Sequence, residues 1–279
     1  MHAQSTKEWI RFVKQLVRRM IDNRLPDLSA QLAFYFLLSL FPFLIFAVTL
    51  LGFYVSAEDV LALISRYVPV ESRQLIERNV RSVLDVERGG LLSFGIIATI
   101  WPASHATNAL IRALNEAYDV EESRSFWKAR GLAIVLTFAL IGILLVALVL
   151  PVFGKAIGTF LFSLFGLSEA FLSVWNVLRW GLSFVILFSV LVFLYYFAPN
   201  KRLGLQEIVI GSLFATISWQ LVSFAFSYFV SQFGNYSATY GGLAGVIVLM
   251  LWFYLTGMIL LVGGEINATL HYFKYEKQP

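Results

Sequence analysis

From Ala30 to Tyr54 the chain runs for 25 residues without a charged side chain. An α-helix needs roughly 20 apolar residues to cross a hydrocarbon core about 30 Å thick, so this run is long enough to span a bilayer. Similar runs recur at about 91–114, 131–152, 177–198, 208–230 and 241–268. Each run has the length and composition of a transmembrane helix, so the fold class is all-α. The expectation is a polytopic membrane protein, a six-transmembrane-helix bundle with amphipathic interfacial helices, forming one membrane domain over residues 1–279. Composition agrees, with 59% hydrophobic and 14% charged residues and 26 Phe to cover lipid-facing surface. With no cysteine in the chain, disulfides and thiolate metal sites are excluded. The net charge of +4 is read as contact with anionic headgroups, and no nucleic-acid partner is expected.

The segments between the runs carry their own pattern. Residues 1–28 hold a basic amphipathic helix, with Trp9, Ile10, Val13, Leu16, Val17, Met20 and Ile21 on one face and Lys7, Arg11, Lys14, Arg18 and Arg19 around the rest. Such a helix either lies on the membrane surface or packs on the end of the bundle, and periodicity does not separate the two. Residues 56–90 are rich in charge and keep helical spacing around Pro69, which predicts a helical hairpin outside the bilayer. The Phe-rich stretch 155–176 is interrupted by glycines and Glu169 and is too short to span, so it reads as interfacial or re-entrant. Pro42 and Pro102 fall inside spans and predict bends there. Six spans put both termini on one side. That side takes 14 of the 21 Lys and Arg: six before the first span, four from Arg112 to Arg130, two at Lys201 and Arg202, and two in the tail. Both termini are therefore expected in the cytoplasm, in a multi-pass protein of the bacterial inner membrane.

Polar groups inside apolar spans are costly and mark candidate sites. Ser104, His105, Asn108, Arg112 and Asn115 recur at three- and four-residue spacing, with Trp101 above and Glu116 and Asp119 below. This face is expected to form the inner wall of a polar cavity, turned toward the last span near Glu265. Glu265, in Gly263-Gly264-Glu265, is expected to pair with Arg112, because a buried carboxylate without a partner protonates or destabilises its helix. Tyr35, beside Gln31 and Ser39, and Gln220, in the stripe Ser212, Thr216, Gln220, Ser223 and Ser227, complete the cavity-lining candidates. The stripe on the fifth span suits helix packing better than a substrate path. No catalytic residue emerges. The three histidines, His2, His105 and His271, lie on separate segments without metal-ligand spacing, and no Gly-rich phosphate loop occurs, so neither a metal nor a cofactor is expected.

Four stretches carry a resemblance: AQLAFYFLLSLFPFLIF at 30–46, ALIRALNEAYDVEESRSFWKAR at 109–130, YYFAPN at 195–200, and NYSATYGGLAGVIVLMLWFYLTGMILLVGGEINA at 235–268. Through them the chain resembles the YihY/BrkB family of bacterial inner-membrane proteins, which once carried the label ribonuclease BN. The resemblance implies six membrane helices with cytoplasmic termini. An RNase needs metal ligands or an acid–base pair on a basic surface, and the sequence offers neither. The residues themselves point to a transporter or translocator of a lipid or small anionic amphiphile, with membrane lipids as partners, phospholipid as a candidate substrate and Arg112 as the headgroup contact. The other reading is a non-transporting scaffold that docks envelope proteins through the 56–90 hairpin and the N-terminal helix.

Overall fold

A computed structural model describes residues 2–54, 88–142, 169–232 and 242–275. Among these residues the chain is helical and holds no strand. The helices are α1 (His2–Asp22), α2 (Leu25–Tyr54), α3 (Arg88–Ala117), α4 (126–142), α5 (Glu169–Phe197), α6 (Leu205–Gln232) and α7 (Gly242–Tyr275). Three contain segments long and apolar enough to cross a membrane: Trp180–Phe197, Leu205–Phe229 and Gly245–Lys274. The apolar stretch of α2, Leu25–Leu40, is shorter. The expected hairpin falls outside the described residues except for its last turn, which begins α3, and so do residues 155–168. Residues 169–176 form the opening turns of α5, ahead of the segment Trp180–Phe197 that is apolar enough to cross a membrane. Glu169 and Arg179 lower the hydropathy of this stretch without breaking the helix, because charge at a helix end costs little where it reaches water.

The described residues form two compact units, one of Met1–Ala33 and Thr107–Pro279 and the other of Phe34–Ala106. Helix ends in the first unit are fixed by local chemistry. Arg24 (φ 49°) and Asp119 (φ 48°) adopt the left-handed conformation that stops a helix. The Val120 N–H then reaches back to the Asn115 carbonyl at 3.0 Å, satisfying a group that the end of α3 leaves open. Pro26 sits in the first turn of α2, where its missing N–H has no intrahelical partner to lose. Glu207, in the first turn of α6, accepts the Gly204 N–H at 3.3 Å.

The core of this unit is the α5–α6–α7 packing. Gly211 on α6 and Gly263 on α7 let the two backbones approach so closely that a Cβ on Gly211 would strike the Gly263 carbonyl. Asn267 seals the seam by accepting the Gly211 N–H at 2.7 Å. Tyr195 on α5, fully buried, donates to the Leu260 carbonyl at 2.7 Å. Ser212 and Thr216 donate back to Ile208 and Ser212 carbonyls of their own helix, each at 2.7 Å, so part of the hydroxyl stripe of α6 is spent on its own backbone.

In the second unit α2 continues through Pro42 and α3 through Pro102. The Ser104 hydroxyl donates to the Trp101 carbonyl at 2.9 Å, beside the proline that lacks a donor of its own. His105 is held between rings here, stacked on Tyr35 (centroids 5.7 Å apart) and edge-on to Trp101 (5.7 Å).

Candidate functional site

Polar chemistry in the larger unit gathers where α1, the end of α3, the loops after α3 and α5, and the last turns of α7 meet. At its centre is Glu265, only 1% exposed. Its carboxylate accepts Arg19 Nε at 2.9 Å and Asn23 Nδ2 at 3.0 Å. Arg19 and Asn23 are one turn apart on α1 and its exit, so a single helix face delivers both donors. The remaining guanidinium nitrogens of Arg19 reach the Ala117 carbonyl and, at 3.5 Å, Asp119 Oδ2. Its Cζ lies over the Tyr272 ring, 4.8 Å from the centroid, and Tyr272 donates to the Tyr118 carbonyl at 2.6 Å. Burial lowers the pKa of Arg19, but Glu265 and Asp119 outweigh it and hold the guanidinium above its ordinary value.

This corrects the expected Arg112–Glu265 pair. Arg112 is exposed, and the α3 residue set against α7 is Leu114, whose side chain fills the space a Cβ on Gly264 would need. The buried side of α3 is made by Ala106, Ala109, Leu110, Ala113, Leu114 and Ala117. Trp101, Arg112, Glu116 and Asp119 are exposed, with His105 and Asn108 half-buried among them. The expected polar face is therefore divided: Ser104 and Asn115 are buried, whereas Arg112 points outward. Three- and four-residue spacing puts side chains on a common face but also admits neighbours about a sixth of a turn away, and that width straddles the boundary between the packed and open sides. Gln220 is half-buried on α6.

A second clasp joins the two loops. Asn115 accepts the Asn200 N–H at 2.7 Å and donates to Glu122 at 3.0 Å, while Asn200 Nδ2 donates to the Glu121 carbonyl and the Ser123 hydroxyl. Arg124 donates to the carbonyls of Phe197, Ala198 and Pro199 at 2.6–3.2 Å, closing the end of α5. On the other flank Glu207 faces His271 at 3.2 Å and Lys274 at 3.4 Å. Tyr118 is buried against the His271 ring, with Lys201 Nζ 5.7 Å from its ring centroid and 5.3 Å from that of Tyr272.

Two depressions flank this network and differ in sign. One, of about 390 Å³, is lined by Arg112, Asn115, Glu116, Asp119, Val120, Glu121 and Glu122, so its single cation stands among four carboxylates. The other, of about 510 Å³, is lined by Arg124, Tyr196, Phe197, Pro199, Asn200, Lys201, Arg202 and Leu203, three cations with no carboxylate. Sequence reasoning missed Arg19, Asn23, Tyr118, Lys201 and Tyr272. The Arg19–Asn23 spacing, at the edge of the apolar face of α1, was the available signal. Among the described residues, no group of three His, Cys, Asp or Glu could hold a metal ion.

Comparison with known proteins finds a match to the virulence factor BrkB family model over residues 16–279. The chain is 51% identical to a Bacillus subtilis protein named ribonuclease-like protein YfkH over 269 residues, covering 96% of this chain and 97% of that one. It is 27% identical to a UPF0761 membrane protein of Vibrio vulnificus (96% of this chain, 84% of that one) and 27% identical to one of Tolumonas auensis (93% and 85%). No solved structure matches.

Proposed function

We propose, from the premise that the chain belongs to the virulence factor BrkB family and is a membrane protein, that it translocates an anionic amphiphile of the phospholipid class. One observation carries this reading: the carboxylate-free depression formed by Tyr196, Phe197, Lys201 and Arg202 at the end of an apolar membrane helix. Cations fit a phosphate headgroup, and the exposed flank of α5, with Val185, Tyr196 and Phe197, offers apolar surface to the tails attached to it. Of the three cations, Arg124 is engaged by carbonyls of the loop, and the headgroup is assigned to Arg202 and to Lys201, which sits beside the Tyr118 and Tyr272 rings. The headgroup contact thereby moves from Arg112, where four carboxylates would repel an anion, to Lys201 and Arg202. By the Lys and Arg bias this end is the cytoplasmic one, in a multi-pass inner-membrane protein. The proposal contains no hydrolytic step, and the ribonuclease-like name stays with the Bacillus protein.

The test is lipid flux in sealed liposomes carrying a fluorescent anionic phospholipid. The double variant Lys201→Gln/Arg202→Gln is expected to slow flux several-fold, and Arg112→Ala to leave it near wild type. Equal flux in the double variant and wild type would remove the depression from the mechanism. An absence of flux in wild type, across anionic and neutral lipids, would end the transport reading and favour a scaffold.

A further inference from the structure

α1 distributes its side chains over three sides. The side against α7 carries Phe12, whose ring meets Phe273 at 5.8 Å, together with Arg19 and Asn23 on Glu265. A basic side carries Lys14 and Arg18, both exposed, with Arg18 3.4 Å from Asp22. The third side carries Trp9, Ile10, Val13, Val17 and Ile21, and it is uncovered, with Trp9 64% and Ile21 69% exposed. A helix that folds onto a water-soluble body turns its most apolar side inward. Here the inward side is held largely by an ion pair, an amide and one aromatic contact, and the apolar side is left out.

The position of α1 says what covers that side. At 1.5 Å per residue the 34 residues of α7 extend about 50 Å, longer than a hydrocarbon core of about 30 Å and than the roughly 40–45 Å that includes the headgroups. With the apolar stretch after Gly245 in the core, residues 265–273 fall in the headgroup zone. Those are the residues on which α1 docks. Apolar side chains beside a basic edge, in that zone, complement an anionic leaflet. A second copy of α1 would instead bring one basic edge near another.

We propose that the outward side of α1 is seated in the headgroup–acyl boundary of an anionic leaflet, with Lys14 and Arg18 turned to phosphate and Arg19–Glu265 fixing the helix to α7. This does not depend on translocation, because a protein that moves no lipid would still bind the leaflet in this way.

The chain has no cysteine, so single-cysteine variants of the full-length protein can be spin-labelled at Val13, Val17 and Ile21 and, for comparison, at Lys14. After reconstitution into vesicles of phosphatidylcholine with phosphatidylglycerol, collisions with oxygen are expected to dominate at 13, 17 and 21. Collisions with a water-soluble nickel chelate should dominate at 14. In the 17-labelled protein, Lys14→Glu/Arg18→Glu is expected to lower the oxygen-to-nickel ratio several-fold in anionic vesicles and to leave it unchanged in pure phosphatidylcholine. Nickel-dominated collisions at 13, 17 and 21 in anionic vesicles would show the side in water and overturn the proposal. Protection from both reagents would overturn it in favour of a protein or second copy covering the helix.

Discussion

Removing the Glu265 carboxylate would leave Arg19 half-buried beside Asp119 alone. Breaking a buried pair at one partner costs about 3 kcal/mol, because the remaining charge keeps its desolvation penalty. Glu265→Ala is expected to lose about that much in unfolding measured in detergent, and the joint change Arg19→Met/Glu265→Leu to lose less than the single one. Arg112→Ala, at an exposed position, is expected to stay within about 0.5 kcal/mol of wild type. Tyr118 gives the opposite case. Its hydroxyl is buried without a hydrogen-bond partner, so Tyr118→Phe is expected to be neutral or to stabilise by up to about 1 kcal/mol. Burial first, then the nearby Glu207 and Glu265, raise the phenol pKa in the folded state above its ordinary value of about 10. A group raised on folding contributes fully below its unfolded pKa and loses its contribution as pH climbs past it. Stability should therefore be insensitive to Tyr118 at neutral pH and fall above about pH 10, and Tyr118→Phe should soften that alkaline fall in a pH series of melting curves.

At the scale of elements, helix contact is set by where a Cβ fits. A methyl on Gly211 would strike the backbone of α7, whereas one on Gly245 meets nothing within 4 Å. Gly211→Ala is expected to destabilise by roughly 1–3 kcal/mol, and Gly245→Ala to be neutral or to stabilise by up to about 1 kcal/mol, both read from thermal melts. Hydropathy marks apolar runs at 208–230 and 241–268, and the helices in these regions run Leu205–Gln232 and Gly242–Tyr275, residue 241 lying outside the described residues. It stopped short at their ends because Glu207, His271 and Lys274 are polar, although each stays helical by binding across to the neighbouring helix. The same blindness hid the site. Glu265 was legible as a charge in an apolar run, but its partner lies on a helix remote in sequence, and nothing in local spacing ranks Arg19 above Arg112. For α3, spacing grouped the polar residues and could not say which way the group faces. That depends on Leu110 and Leu114 finding partners elsewhere.

For the molecule as a whole, the two clasps put α1, the 118–125 loop, the 198–204 loop and the end of α7 at one end of the larger unit. Single cysteines at Lys14, Glu121 and Gln206 should therefore react with a membrane-impermeant thiol reagent from one and the same side of sealed vesicles. Reaction of any one from the opposite side would contradict that arrangement.

The Arg19–Glu265 bond also sets a timetable. Its partners are 246 residues apart, so α1 leaves the ribosome long before α7 and must wait for it before its guanidinium meets a carboxylate. Contacts of such separation form late, after the intervening chain has been ordered. A nascent chain cut short before α7 would carry an unlatched α1, and synthesis of α7 is the event that lets the latch close.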